Sequence, residues 1–334
     1  MSIWYGLDRV PEHVGANGTV VTIGVFDGVH RGHQELVTRT VATARDMGVP
    51  SVMFTFDPHP TVVFRPESVP PLLGTVSQRA ELAQQMGIDN VVVVAFTKEI
   101  SSWSPAEYVD HVLVDLLHAK AVYVGENFTF GHKAAGTTDT LAELGAERGI
   151  DVHVVPLLEE SSPSDATASP HVVCSTWIRQ ALADGDIAGA NHALGRPFTV
   201  EGEVTHGAGR GGRALGFPTA NLYFPEKYAL PADGVYAGYV TVLPGKGAPG
   251  QKVGTMPVGE RLAAAISVGT NPTFGHEPRS VESFILDHEA DLYGLDTRVE
   301  FVERLRGQET YTSMEELIEA IGRDVANTRA ALTR

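Results

Sequence analysis

Gly24-Val-Phe-Asp-Gly-Val-His-Arg-Gly-His33 joins two segments of opposite periodicity, and that junction decides the fold. To its left, Thr19 to Phe26 is an apolar, β-branched run, the pattern of a buried strand. To its right, Gln34 to Met47 places Leu36, Val37, Val41 and Ala44 at the spacing of an amphipathic helix. His30 and His33 therefore stand where a helix opens. Backbone N–H groups and the positive end of the helix dipole gather there, so the position favours phosphate oxygens before any side chain contributes. Gly28 and Gly32 let the backbone approach closely. Two imidazoles at this spacing can donate to one polyphosphate, their charge rising as negative charge builds on it. Spacing alone leaves a capping or surface role for either histidine equally open.

The alternation continues outward. Strand Ser51–Phe56, helix Ser77–Met86, strand Asn90–Phe96, helix Pro105–Leu117, strand Ala121–Gly125, helix Thr137–Arg148 and strand Asp151–Leu157 follow in turn. Continuous apolar strands separated by helices predict a doubly wound α/β domain, its parallel sheet covered on both faces. Ligands of such sheets bind beyond the carboxyl ends of the strands. Three polar clusters fall there: Asp27 to His33, Asp57-Pro-His59-Pro, and Glu126-Asn127-Phe128-Thr-Phe-Gly131. Each alone is an ordinary turn or loop; their convergence on one edge predicts a site. The polar, proline-punctuated stretch from Glu159 to Pro170 has the composition of a loop. After it, Cys174-Ser175-Thr-Trp-Ile-Arg179 opens a helix that runs to about Ala183, with Ser175 or Thr176 suited to cap it, and Asp186 to Leu194 forms a second short helix.

Composition narrows the function classes. A chain of 334 residues is long for one core and predicts two domains. Its formal charge is −16, from 25 basic and 41 acidic residues without a basic arm, which argues against nucleic acid or an anionic membrane as partner. An acidic protein that handles phosphates must concentrate its cations locally, which singles out Lys133, Arg179, Arg210 and Arg213. Cys174 is the single cysteine, so an internal disulfide and a cysteine zinc cluster are excluded, and a buried, inert thiol is expected. With no leader pattern or membrane-length apolar run, the expected compartment is the cytoplasm.

Beyond Arg196 helical periodicity gives way to short alternating segments: Phe198–Thr205, Gly234–Leu243, Leu262–Val268, Ser280–Leu286 and Arg298–Leu305. They predict a small antiparallel barrel, closed by a helix from Ser313 to Leu332, with the domain boundary between residues 186 and 187. Gly207-Ala-Gly209-Arg210-Gly-Gly212-Arg213-Ala-Leu-Gly216 can form an anion-holding nest, although such a stretch also suits a flexible hairpin. In Pro218-Thr219-Ala-Asn221 a hydroxyl and an amide share one side of an extended chain and offer the hard oxygens magnesium prefers; a simple Asx turn is the alternative. On a strand Glu282 shares a face with Phe284 and Leu286, surroundings that would raise its pKa toward that of a general base, whereas a surface-facing carboxylate is equally compatible with the spacing.

His30-x-Gly-His33 resembles the signature of the nucleotidyltransferase superfamily, in which both histidines bind the triphosphate of ATP. With Phe26-Asp-Gly28 ahead of it, and Pro218-Thr-Ala-Asn221 and Glu282 in the second half, the chain is similar to the bifunctional riboflavin kinase/FMN adenylyltransferases, the prokaryotic FAD synthetases. The resemblance implies a nucleotidyltransferase domain over residues 1–186 and a riboflavin kinase barrel over residues 187–334. It implies that Gly24, Phe26, Asp27, His30, His33, Ser175, Thr176 and Arg179 hold ATP for adenylyl transfer, and that Asp57, His59, Asn127 and Phe128 meet the flavin. In the barrel, Gly207, Gly209, Arg210, Gly212, Gly216, Thr219 and Asn221 would hold ATP, Thr219 and Asn221 its Mg2+, and Glu282 would accept the 5′-hydroxyl proton of riboflavin. Gly269-Thr-Asn-Pro-Thr-Phe-Gly275 is family-like and would help form the flavin or nucleotide pocket. Riboflavin, FMN and ATP are the implied small-molecule partners; self-association is left open. Cys174 stands where the family motif has its first serine, and Val173 where it has isoleucine.

Overall fold

Six short apolar segments pair in parallel in the computed structural model: β1 (Ser2–Tyr5), β2 (Thr19–Ile23), β3 (Ser51–Phe56), β4 (Asn90–Val94), β5 (Ala119–Gly125) and β6 (Asp151–Val155), in the order β1-β4-β3-β2-β5-β6. The structure describes residues 2–64, 66–161, 169–205, 218–225, 227–245, 252–270 and 279–333. β2 and β3 are buried at every position, as both faces of the sheet are covered. One face packs Val21, Ile23, Phe54, Val92 and Val124 with Val112, Leu113 and Leu141 of the covering helices. The other packs Val20, Met53, Val91 and Ala121 with Leu36, Val37, Ala80 and Ala83.

The helices are α1 (Arg31–Met47), α2 (Thr61–Phe64), α3 (Val76–Gln85), α4 (Pro105–Tyr108) and α5 (Thr138–Arg148). α1 begins three residues before the expected Gln34, which places His33 inside its first turn. β2 stops at Ile23 rather than Phe26 because the chain turns sharply: Phe26 and Val29 both take left-handed backbone angles, φ 53° and 41°. The helix expected over Pro105–Leu117 is regular only to Tyr108. From Val109 to Leu116 it widens to i→i+5 bonding. β1, a half-buried edge strand, had no counterpart among the expected strands.

A two-residue ladder, β7 (Glu159–Glu160) against β8 (His171–Val172), flanks the expected polar loop, of which residues 162–168 lie outside the described residues. Helices α6 (Ser175–Asp184) and α7 (Ile187–Leu194) lead into the second sheet. The chain divides into two compact units, one of Met1–Glu160 with Pro170–Ser175, the other built on Thr176–Arg334.

In the second unit, β9 (Phe198–Glu203), β10 (Ala220–Tyr223), β11 (Gly234–Val242), the short hairpin β12 (Lys252–Val253) and β13 (Met256–Pro257), β14 (Leu262–Gly269), β15 (Ser280–Ile285) and β16 (Asp296–Gly307) are followed by α8 (Met314–Leu332). The sheet runs β10-β15-β14-β11-β16-β9, antiparallel throughout. Its two edges meet where Thr205 bridges Asn221, Thr205 N donating to Asn221 O at 3.0 Å, which makes a nearly closed six-stranded barrel. Asn191 of α7 anchors the first barrel strand: its Oδ1 accepts from Phe198 N at 2.7 Å and its Nδ2 donates to Phe301 O at 2.9 Å.

Candidate active sites

Beyond Gly24 the chain leaves the sheet, turns through Phe26 and Val29, and enters α1 with His30 as N-cap. His30 makes no side-chain cap bond. Its ring, 6% exposed, instead stacks on that of His33, with centroids 3.6 Å apart and planes at 23°. Gly32 permits this stack, because a β-carbon there would lie 3.3 Å from the His30 ring. Burial, then His30, then the Arg79 guanidinium hold the His33 imidazole well below the usual histidine pKa, and its buried Nδ1 has no hydrogen-bond partner. With its protonation disfavoured in the empty site, at a helix N-terminus, His33 is a group whose protonation an incoming polyanion would favour.

The rings face a cavity of about 460 Å³ at the carboxyl ends of the strands. Gly24, Phe26, His30, Gly32 and His33 form its polar wall; Phe56, Phe96, Tyr108, Phe128 and Phe130 line it elsewhere. Phe56 meets Phe96 edge-on at 5.5 Å, and Phe128 stacks parallel to Phe130 at 5.6 Å. A cavity with two imidazoles at a helix N-terminus on one wall and flat aromatic surfaces elsewhere suits a ligand pair combining polyphosphate with a planar ring system.

The expected residues are distributed unevenly around it. Asn127 and Phe128 line the cavity. Asp57 is exposed and His59 half-buried, its Nδ1 accepting from Thr61 N at 3.2 Å; from that cluster it is Pro60 that reaches the cavity wall. Asp27 is buried beneath the loop, its Oδ1 accepting from Leu73 N at 3.0 Å. The Ser175 hydroxyl donates to Asp27 O at 2.8 Å, in the loop that precedes α1. Thr176 and Arg179 follow within the first turn and a half of α6. Cys174 is half-exposed and lines the cavity, so the expectation of a buried thiol is corrected: the residue sits on the wall rather than in the core.

In the barrel, Asn221 lies directly opposite Glu282, which in turn lies opposite Ser267, so the three share one face across neighbouring strands. Asn221 Nδ2 donates to Thr219 O at 3.2 Å, which leaves the amide oxygen as the atom the side chain offers a hard cation. Ser280 Oγ donates to Glu282 Oε1 at 3.2 Å. The Glu282 face also carries Phe284, and both are half-buried, whereas Val281, Ser283 and Ile285 fill the buried face. Among the described residues no group of three or more His, Cys, Asp and Glu is arranged to hold a metal. Gly207, Gly209, Arg210, Gly212, Arg213 and Gly216, and residues 271–275 of the Gly269 motif, lie outside the described residues.

The family model described as FAD synthetase matches residues 13–165, and the one described as riboflavin kinase matches residues 194–332. A curated relative from Pseudomonas fluorescens, named bifunctional riboflavin kinase/FMN adenylyltransferase, is 36% identical over 99% of this chain and 97% of its own length. The chain belongs to that bifunctional family. Relatives of the same name include those of Listeria monocytogenes serovar 1/2a, 34% identical over 93% of this chain and 91% of theirs, and Escherichia coli K12, 31% identical over 97% and 95%. A crystal structure described as a macrolide-efflux protein from Streptococcus pneumoniae superposes with a TM-score of 0.80 at 28% identity, covering 98% of each chain. Among the described residues no helix is long and apolar enough to cross a membrane.

The family's histidine motif does not by itself reveal two residues that the fold places against its loops. Arg79 and Thr55 bond to the backbone of two cavity residues, Phe56 and Val25, and to each other, Arg79 donating to Thr55 Oγ1 at 3.0 Å. The available signal was an arginine on the apolar stripe of α3, between Val76 and Ala83.

Proposed function

We infer that the chain carries out both family reactions, phosphorylation of riboflavin to FMN and adenylylation of FMN to FAD, each from ATP. Supporting this is the presence in one chain of two separate polar constellations: the stacked histidines on an aromatic-walled cavity, and Asn221 facing Glu282 across the paired strands β10 and β15. We assign the first reaction to residues 187–334 and the second to residues 1–186, including Thr176 and Arg179 on the strength of the family motif. The cytoplasm is the compartment we propose, on the single-cysteine composition.

In the kinase step the riboflavin 5′-hydroxyl oxygen attacks the γ-phosphorus, the bond to ADP breaks, and Glu282 takes the hydroxyl proton. Ser280 orients that carboxylate through its hydroxyl. Thr219 and Asn221 would hold magnesium, which supplies neutralisation of phosphate charge. In the adenylyl step an FMN phosphate oxygen attacks the α-phosphorus of a second ATP and pyrophosphate leaves. That nucleophile is already an oxyanion and needs no base, so His30, His33, Ser175, Thr176 and Arg179 serve the triphosphate and its departing charge. Asn127 and Phe128 contact the flavin or its phosphate, and Asp57 and His59 belong to the loop on that side.

Incubation with riboflavin, ATP and magnesium, with chromatographic separation of the flavins over time, tests this directly. FMN appearing first and FAD after it is the expected course. No conversion of either riboflavin or supplied FMN would leave a flavin-binding protein without turnover.

A further inference from the structure

Arg79 is 4% exposed, an unusual place for a guanidinium, beside the buried Gln78, Ala80 and Ala83 of the same helix. Its Nη1 donates both to Thr55 Oγ1 at 3.0 Å and to Phe56 O at 3.1 Å, at the end of β3. Phe56 lines the cavity, and the residues after it begin the Asp57-Pro-His-Pro cluster. Thr55 Oγ1 in turn donates at 3.0 Å to the carbonyl of Val25, a cavity residue one position before the left-handed Phe26. Burial lowers the Arg79 pKa, and Asp27 and Asp57, one carboxylate from each loop, oppose that effect. Asp27 is tied to the segment entering α3 through Leu73 N, and to Ser175 through its own carbonyl. Arg79 Nε is buried without a hydrogen-bond partner, so the fold's own bonds do not exhaust this group.

We propose that Arg79 is a positioning residue for adenylyl transfer. One buried cation, through Thr55 and Phe56, holds the triphosphate loop of residues 24–33 and the flavin-side loop of residues 57–60 in fixed separation across the cavity floor. The inference rests on placing adenylyl transfer in this cavity. Lysine preserves the charge, but its nitrogen stands one bond short of the Nη1 that donates to both acceptors, so it does not hold both in the same geometry. A loss of registry between two bound reactants lowers the rate at saturation more than it weakens binding of either.

The test is steady-state FAD formation from supplied FMN and ATP by Arg79→Lys and Thr55→Val, with His33→Ala in parallel and rates normalised to folded protein by thermal unfolding. The expected result is kcat lowered by about 10- to 100-fold in Arg79→Lys and by a smaller factor in Thr55→Val, with both KM values within about threefold. A purely structural arginine would lower the unfolding temperature and leave kcat per folded molecule unchanged. Either variant folding with undiminished kcat overturns the proposal; Thr55→Val decides it if Arg79→Lys does not fold. Full activity in His33→Ala would instead overturn the placement of the reaction in this cavity, and the inference with it.

Discussion

His33 sits neutral in an environment that its ligand would reverse. Burial, the stacked His30 ring and Arg79 all disfavour its protonation, whereas a triphosphate against the ring favours it. Below about pH 6.5 the unfolded chain protonates this histidine while the empty folded site resists, so this group's contribution to stability is present above that pH and lost as pH falls toward the depressed value. Nucleotide binding should therefore take up a proton near neutral pH, and affinity should rise as pH falls toward that range. Calorimetry of ATP binding in two buffers of different ionisation enthalpy measures the uptake, which should disappear in His33→Ala; equal uptake in both proteins would remove His33 from the triphosphate. The histidines were legible in the sequence because strand, loop and helix surround them in order. Arg79 was harder to find: its partners lie on β3 and in the triphosphate loop, and separations of that length leave no local pattern.

Elements that carry their own start signals were the easiest to read. α3 begins with a reciprocal cap, Gln78 N donating to Thr75 Oγ1 at 3.1 Å and Thr75 N donating to Gln78 Oε1 at 2.8 Å. Thr75→Ala should cost about 1 kcal/mol, measured as a lowered urea midpoint for unfolding of this unit. An unchanged midpoint would mean that the packing of Ala80 and Ala83 alone sets the helix start. Ser104 and Glu107 repeat the device at α4, but nothing in Val109–Leu116 announced the wide turns that follow. Helical and widened turns bury the same valines and leucines, so periodicity does not distinguish them over so short a span. β1 escaped for another reason: it is half-buried and pairs only with β4, so its sequence need not be continuously apolar.

For the molecule as a whole, the motifs of the two reactions fall in separate stretches of sequence and, within each unit, on separate sheets. Loss of one activity should then leave the other chemically intact. Glu282→Ala should stop FMN formation from riboflavin while FAD still forms from supplied FMN; His33→Ala should do the reverse, with a deficit of about 2.7–4 kcal/mol in transition-state stabilisation if it behaves as a removed charge-stabilising donor. Parallel loss of both rates in a folded variant would contradict separate sites. The two architectures were legible because a change from helical to two-residue periodicity near Arg196 marks a change of layer type. The barrel itself was expected from the short alternating segments; the place where its edges meet was not, since that rests on a single bridge between distant residues. That bridge joins Thr205 to Asn221, the residue proposed to meet the nucleotide's metal, and the glycine-rich stretch runs in sequence between them. If the metal sits at Asn221 as proposed, the stitch that joins the edges of the cylinder also belongs to the nucleotide site, and a bound nucleotide would fasten the fold where its edges meet.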